Sequence, residues 1–194
     1  MKKILLFFSF TILLSSCNNI QKAQAFYLDA VKEYKEQNFE QALLLINKTL
    51  YFKPDFYQAK FLKGKILFYS KDYSASIDIF QKLTKIQKEN FDCKFWLLRC
   101  YIFNSELDKA KIYLKELIRT NTEDWRLYYY RALIAKQQNN FEDYFSNLNT
   151  ADTFIKDSSV VYLDLALFWQ ELGLQERSTL CFSKAEMLNT RYLE

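Results

Sequence analysis

Two pairs of carboxylates, Asp29 with Glu33 and Asp164 with Glu171, have the spacing of side chains on one helical face. Two carboxylates can perform acid–base catalysis. Helical surfaces carry such pairs by chance, however, and the sequence contains no histidine, no glycine-rich phosphate loop and no nucleophile motif. The absence of histidine excludes Ser-His-Asp and Cys-His catalysis and histidine metal sites. We therefore expect no enzyme, no catalytic or metal-binding residue and no cofactor.

Cysteines are the other residues that could do chemistry, and the chain has four. Cys93, Cys100 and Cys181 are an odd number, which argues against a disulfide framework. Cys93 and Cys100 are seven residues apart, which is about 10.5 Å along a helix and too far for a disulfide. We expect both to be small core residues. Cys17 has different surroundings.

Cys17 ends an N-terminal segment that is typical of exported proteins. Lys2 and Lys3 precede an apolar stretch over residues 4–14. This stretch is too short to span a bilayer, which takes about 20 residues, but it fits the central region of a secretory signal. The segment closes with Leu14-Ser15-Ser16-Cys17.

This ending resembles the lipobox of bacterial lipoproteins, in which an apolar residue and two small residues precede an obligatory cysteine. The resemblance implies that residues 1–16 are a signal peptide, that Cys17 carries acyl chains such as palmitate, and that residues 17–22 form a lipidated tether. Several acyl chains would hold the protein firmly in a membrane. The alternatives are a plain signal peptide with a chance cysteine and an N-terminal anchor.

The same resemblance bears on location. In many two-membrane bacteria, an aspartate after the anchor cysteine keeps a lipoprotein at the inner membrane. Asn18 stands there in this sequence and favours the outer membrane. Loss of Lys2 and Lys3 with the signal lowers the formal net charge from +4 to +2. So small a charge gives no basis for binding nucleic acid, which requires a strongly basic face.

Composition narrows the fold class. The chain has two glycines and one proline, whereas sandwiches, barrels and Rossmann sheets require turn residues at each chain reversal. Half of the residues are apolar, and 18 Phe, 14 Tyr and 3 Trp are among them. That content is enough to form a core and excludes disorder for most of the chain. The composition therefore indicates an all-α fold.

A period of 34 residues runs through the chain without insertion or deletion. Residues at the same position of each 34-residue unit are mostly of one type. Small residues predominate in the series Ala42, Ser76, Ala110, Tyr144 and Ser178, and again twelve residues earlier, in Ala30, Gly64, Leu98, Ala132 and Ala166. Large apolar residues stand four residues after the first series, at Ile46, Phe80, Leu114, Leu148 and Phe182. Small residues allow two helices to approach closely, and the large apolar residues fill the seam between them. The pattern is that of a repeated helical hairpin.

Five such units resemble the tetratricopeptide repeat family. The resemblance implies a right-handed superhelical solenoid over residues 23–194, with units at 23–56, 57–90, 91–124, 125–158 and 159–194. The turns inside the hairpins are expected near residues 37–38, 71–72, 105–106, 139–140 and 173–174. The sequence departs from the family at Leu98 and Tyr144, which replace small residues. We expect local distortion in units three and four.

In this family the first helix of each unit lines a concave groove. The resemblance therefore implies an aromatic groove with cations among the rings, formed by Tyr27, Phe61, Lys65, Phe68, Phe95, Arg99, Arg126, Tyr129 and Lys136. Aromatic anchors beside arginine are typical of protein-binding hot spots. We expect an extended or helical peptide with apolar side chains and some acidic groups. The alternatives are that these rings are mostly core, or that the groove carries an apolar small molecule or lipid.

The C-terminal end lacks the extra solvating helix that the family usually adds. We expect a partner or a second copy of the chain, forming a homodimer, to cover the apolar residues there, which are Leu180, Met187, Leu188, Tyr192 and Leu193. Taken together, the sequence predicts a lipid-anchored scaffold that binds proteins or peptides of the bacterial cell envelope. An outer-membrane assembly or secretion adaptor fits this description.

Overall fold

The computed structural model describes the backbone of residues 2–154 and 159–190 and the side chains of residues 19–154 and 159–187. Over this part of the chain the secondary structure is entirely helical, which confirms the predicted all-α fold. The helices are α1 (Lys2–Lys35), α2 (Phe39–Phe52), α3 (Tyr57–Tyr69), α4 (Tyr73–Ile86), α5 (Phe91–Phe103), α6 (Leu107–Thr120), α7 (Trp125–Gln137), α8 (Phe141–Phe154), α9 (Ser159–Glu171) and α10 (Gln175–Thr190).

The helix boundaries follow the 34-residue period. Helices α3, α5, α7 and α9 each have 13 residues, and α2, α4, α6 and α8 each have 14. Helix α1 is longer, with 34 residues, and its backbone includes the segment predicted as a tether, residues 17–22. The distortion expected around Leu98 and Tyr144 does not alter the lengths of the helices that contain them. Both side chains are accommodated in full burial.

The turns inside the hairpins share one backbone geometry at intervals of 34 residues. A positive φ, from 57° to 73°, occurs at Gln37, Lys71, Ser105, Asn139 and Gly173. Around Lys71, its own N–H donates to the Phe68 carbonyl and the Asp72 N–H donates to the Leu67 carbonyl. These two bonds define a Schellman cap, in which a left-handed residue ends the helix. The same bond pair recurs at Gln37, Asn139 and Gly173.

The repeated small residues lie where the helices of a hairpin come closest. Gly64 on α3 is buried, and a Cβ there would stand 2.7 Å from the Phe80 ring of α4. Ser76 is 0% exposed, and its Oγ donates to the Gly64 carbonyl at 2.8 Å. The same Oγ lies 3.1 Å from Cys100 Sγ on α5. Small side chains therefore set the spacing of three successive helices.

The chain divides into two compact bodies, an N-terminal body (residues 1–104) and a C-terminal body (residues 105–194). In the N-terminal body, Ala30, Ala42 and Ile46 form part of a core on α1–α3. In the C-terminal body, Ala132, Leu148, and other buried side chains of α7–α9 form a second core. Among the described residues, none of the helices combines the length and apolarity needed to cross a membrane.

The prediction for the cysteines of α5 is confirmed. Cys93 and Cys100 are free thiols and both are fully buried. Burial raises the pKa of the Cys100 thiol to about 11 and also raises that of Cys93. Cys93 Sγ lies 3.1 Å from the Tyr57 hydroxyl of α3. Both thiols therefore act as packing groups between helices.

Candidate functional site

The N-terminal body contains an open cavity of about 390 Å³, which we call the aromatic pocket. Its wall is formed by side chains of α1, α3 and α5, among them Tyr27, Val31, Tyr34, Phe61, Lys65 and Asp92. The pocket thus brings together three of the predicted groove residues, Tyr27, Phe61 and Lys65.

Helical spacing explains why these side chains converge. Tyr27, Val31 and Tyr34 follow one another on α1 at intervals of four and three residues, so they share one face. Phe61 and Lys65 are four residues apart on α3. The Tyr27 ring also packs on Phe56, at 4.9 Å between centroids. Packing on neighbouring side chains fixes the rings in place on the wall of the pocket.

A stack of alternating rings and cations lies beside the pocket. Lys65 Nζ is 4.8 Å from the centroid of the Tyr34 ring and 5.5 Å from that of Trp96. On the other side, the guanidinium carbon of Arg99 is 4.0 Å from the Trp96 centroid and 4.6 Å from that of Phe68. Such contacts attract each cation to the face of a ring and fix its position. Two predicted groove cations are therefore held in place by rings.

The electrostatics of the stack reflect partial burial. Burial lowers the pKa of the Lys65 ammonium, and Tyr69 and Asp92 act in the opposite direction. Arg99 adds to the lowering because it is a like charge. Burial also raises the pKa of the Tyr34 hydroxyl well above its usual range. Charges in such partly dehydrated surroundings interact more strongly with an incoming anion than charges in bulk water do.

Two of the predicted groove rings do not line a surface. Phe68 is 6% exposed and Phe95 is 7% exposed, so both are core residues of the N-terminal body. The Phe68 ring nevertheless contacts the guanidinium of Arg99 and helps to fix its position. At these two positions the burial favours the alternative that the predicted groove rings are mostly core. Helical periodicity predicts the face of the helix on which a ring lies but not how deeply the ring is buried.

The remaining predicted groove residues lie in the C-terminal body, and each is engaged within it. Arg126 Nε and Nη2 donate to the two carboxylate oxygens of Asp124, at 2.9 Å and 2.6 Å. The Tyr129 hydroxyl donates a hydrogen bond to Asp164 on α9. Lys136 Nζ lies 5.2 Å from the Tyr144 ring centroid. The charge of Arg126 is thus neutralised locally, unlike that of Lys65.

Asp164 and Tyr144 each bury a polar side-chain atom in this body. Among the described residues, neither the buried Asp164 Oδ2 nor the buried Tyr144 hydroxyl has a hydrogen-bond partner. Burial raises the pKa of Asp164, although the Tyr129 bond and Lys136 oppose the shift. The Asp164–Glu171 pair noted as a potential acid–base pair therefore includes one carboxylate whose ionised form is disfavoured.

At the C-terminal end, two of the predicted interface residues are exposed. Leu180 and Met187 are each 64% exposed on α10. Leu188, Tyr192 and Leu193 lie outside the residues whose side chains the structure describes, as does Cys17. That a partner or a second copy of the chain covers this end stays a prediction.

Trp96 is a site residue that the sequence reading missed. It is 8% exposed and lies between Lys65 and Arg99. Its spacing of three residues from Arg99 on α5 could have identified it, because such a spacing allows a ring and a cation to meet. Its contact with Lys65 joins residues 31 positions apart in sequence and is visible only in the folded chain.

The N-terminus matches a known sequence signature. Residues 1–18 match the model of the prokaryotic membrane lipoprotein lipid attachment site, and this range includes Cys17. The match agrees with a lipid-anchored protein of the cell envelope. No curated protein matches the sequence significantly.

The fold is similar to several solved structures. A tetratricopeptide repeat protein from Parabacteroides merdae superposes with a TM-score of 0.77 at 18% identity; the match covers 86% of this chain but 65% of that one. A tetratricopeptide repeat protein of Thermus thermophilus gives 0.73 at 16% identity, covering 88% and 93%. MamA from Desulfovibrio magneticus gives 0.65 at 15% identity, covering 88% and 96%. The chain therefore has the tetratricopeptide repeat fold and carries a lipoprotein lipid attachment site at its N-terminus.

Proposed function

We propose that this protein is a lipid-anchored scaffold of the bacterial cell envelope, and that the aromatic pocket binds a segment of a partner protein. The observation that carries the proposal is the position of Lys65, which stands on the wall of an open cavity and over two aromatic rings. Cations among rings in a concave surface are typical of binding hot spots. Lipidation at Cys17 would hold the scaffold at the membrane.

The chemistry of the pocket defines the segment it would accept. Tyr27, Val31 and Phe61 present apolar surface, while Lys35 and Lys65 outnumber the one acidic residue on the wall, Asp92. A segment with an apolar side chain and an adjacent carboxylate would bury the first against the rings and pair the second with Lys65. We therefore propose an acidic, apolar peptide segment as the partner.

The location of the scaffold is part of the same proposal. Asn18, directly after the anchor cysteine, supports the outer membrane, and an adaptor in outer-membrane assembly or secretion would need both an anchor and a binding pocket. Arg126, Tyr129 and Lys136 of the C-terminal body are proposed separately as further partner-binding residues. A second copy of the chain, or the partner itself, would cover Leu180 and Met187.

Photocrosslinking in living cells tests the proposal. A benzoylphenylalanine placed at Tyr27 would sit on the wall of the pocket, and one at Tyr51, which is 80% exposed and does not line it, is the matched control. We expect the photoreactive residue at position 27 to crosslink to an acidic, apolar segment of an envelope protein. The photoreactive residue at position 51 should not crosslink to this segment. Identical products at both positions would contradict binding in the pocket.

A second candidate function is the transport of an apolar small molecule. The pocket volume of about 390 Å³ falls in the range of small-molecule sites, which is roughly 300–1,000 Å³. Native mass spectrometry of protein released from its own membranes distinguishes the two. A bound small mass that disappears in a Phe61→Ala variant would favour the carrier.

A further inference from the structure

A second cavity, of about 520 Å³, lies wholly within the C-terminal body. Side chains of α6, α7 and α8 form its wall, and we call it the basic pocket. It shares no residue with the aromatic pocket. Its chemistry is therefore independent of the function proposed above.

The floor of the basic pocket is apolar. Leu114 is 5% exposed, Ile134 is 3% exposed and Ala135 is 6% exposed, and all three line the cavity together with Ile118. Ile118 is half-buried, so it is the floor side chain that leaves the most apolar surface for a hydrocarbon chain to cover. Each square ångström of such surface removed from water favours binding by about 25 cal/mol.

Cations stand around this floor. Lys111 and Lys115 are one helical turn apart on α6, and Arg131 projects from α7. All three are exposed, and among the described residues none of the three forms a salt bridge. The formal charge of the wall is +2, from three cations and Asp143. Three cations around one concavity attract an anion.

The carboxylate on the wall is already engaged. Asn140 Nδ2 donates to Asp143 Oδ2 at 2.8 Å, and the Asp143 N–H donates to Asn140 Oδ1 at 3.1 Å. These bonds cap the start of α8. Asp143 therefore has a structural role at the helix terminus and does not form a salt bridge with any of the three cations.

The composition of the wall favours a small ligand over a protein segment. Protein interfaces are enriched in aromatic side chains and depleted in lysine, whereas the wall of the basic pocket has two lysines and lacks an aromatic ring among its lining residues. The volume also falls in the range of small-molecule sites. We propose that the basic pocket binds an anionic amphiphile, with its hydrocarbon chain on the floor and its carboxylate or phosphate among Lys111, Lys115 and Arg131.

The test uses the full lipidated protein in nanodiscs of phosphatidylcholine, which has no net charge. Three photoreactive probes carry the same diazirine chain: a fatty acid, its uncharged methyl ester and a lysophosphatidylglycerol. Mass mapping then locates the crosslinks. We expect labelling of α6–α8 by one or both anionic probes, and at least about tenfold less by the ester, because hydrogen bonds to a charged group are lost.

The two anionic probes identify the source of the anion. Labelling by the fatty acid alone assigns a carboxylate, labelling by the lysophospholipid alone assigns a phosphate, and labelling by both assigns the shared chemistry. A variant with Lys111, Lys115 and Arg131 changed to Gln should reduce labelling about tenfold or more. The matched control changes three exposed lysines of α4 and the following turn, Lys82, Lys85 and Lys88, to Gln and should retain labelling.

Several results would overturn the proposal. Equal labelling of the native protein by the fatty acid and its methyl ester would show that the charge of the probe plays no part in binding. This comparison does not depend on any variant. Equal loss in both triple variants would show a general effect of net charge. Crosslinks confined to helices other than α6–α8 would place the ligand outside the basic pocket. Capture of an acidic peptide in place of the probes would show that the ligand is a peptide and not an amphiphile.

Discussion

The guanidinium carbon of Arg99 lies 4.0 Å from the centroid of the Trp96 ring, three residues earlier on α5. The same ring lies 5.5 Å from Lys65 Nζ, and it stacks on Phe80 at 5.7 Å with an interplanar angle of 12°. Trp96 therefore joins two cations to the core of the N-terminal body. Lys65 also contacts the Tyr34 ring and Arg99 the Phe68 ring, so Trp96 is the ring that the two cations share.

Replacement of Trp96 by Leu should destabilise the fold. Trp96 is 8% exposed, so the change removes buried ring contacts and two cation–π contacts. We expect the free energy of unfolding to fall by about 3 kcal/mol. Urea denaturation of the purified variant measures this loss. A loss below about 1 kcal/mol would show that the ring is not an anchor of the core.

Gly64→Ala should also destabilise, although alanine is the better helix former. The new Cβ would stand 2.7 Å from two atoms of the Phe80 ring, which is 0% exposed and cannot move freely. Overpacking of this kind costs about 1–3 kcal/mol, whereas the gain in helix propensity is about 1 kcal/mol. We expect a net loss of about 1 kcal/mol in urea denaturation. In a Phe80→Leu background the cost should shrink, and an unchanged cost would refute steric contact as its cause.

Lys71→Gly should stabilise the protein. Lys71 has φ of 64°, a left-handed conformation that costs a residue with a Cβ about 1–2 kcal/mol. Glycine adopts it freely but loses part of the gain to the greater entropy of the unfolded chain. We expect a net gain of about 0.5–1 kcal/mol. Asn139→Gly, at φ of 57°, is the matched control and should change little, since asparagine tolerates this conformation. Equal effects at both positions would argue against backbone strain.

The raised pKa of Asp164 predicts a pH dependence of stability. Because burial raises the folded-state pKa above 3.8, the native protein holds this proton more tightly than the unfolded chain does. The contribution to stability is present below pH 3.8 and is lost as pH rises through the higher folded value. Asp164→Asn removes the ionisation while leaving an oxygen that can accept from Tyr129. We expect the variant to be more stable than the native protein at pH 7 and to lose this advantage at pH 4. An equal difference at both pH values would assign the effect to packing.

Much of the fold could be predicted from residue types at a fixed spacing. Small residues such as Ala42 and Ser76 recur every 34 positions because each repeat places two helices at the same close approach. The left-handed turns were located as well, although Gln37 and Lys71 are not the residues that such turns favour. At these two turns the 34-residue period, and not the local residue type, predicted where the helix ends.

The candidate site was predicted less completely. Periodicity predicts the helical face on which Lys65 and Arg99 lie, but burial depends on neighbours that are distant in sequence. Phe68 is core for this reason, and Trp96 contacts Lys65 across 31 residues. The Asp124 carboxylate that neutralises Arg126 is two residues away, yet the bidentate pair requires a helix N-terminus that fixes both groups. A list of residue types does not supply these orientations.

The affinity of the aromatic pocket for the segment captured at Tyr27 tests the central claim most directly. The measurement compares the native protein with Lys65→Met, which keeps the apolar stem of the side chain but removes the charge. We expect binding of the acidic segment to weaken by about tenfold or more, since one charge-assisted bond is lost. Tyr51→Ala, outside the pocket, should bind as the native protein does. Unchanged affinity in the Lys65→Met variant would contradict recognition of an acidic partner in this pocket.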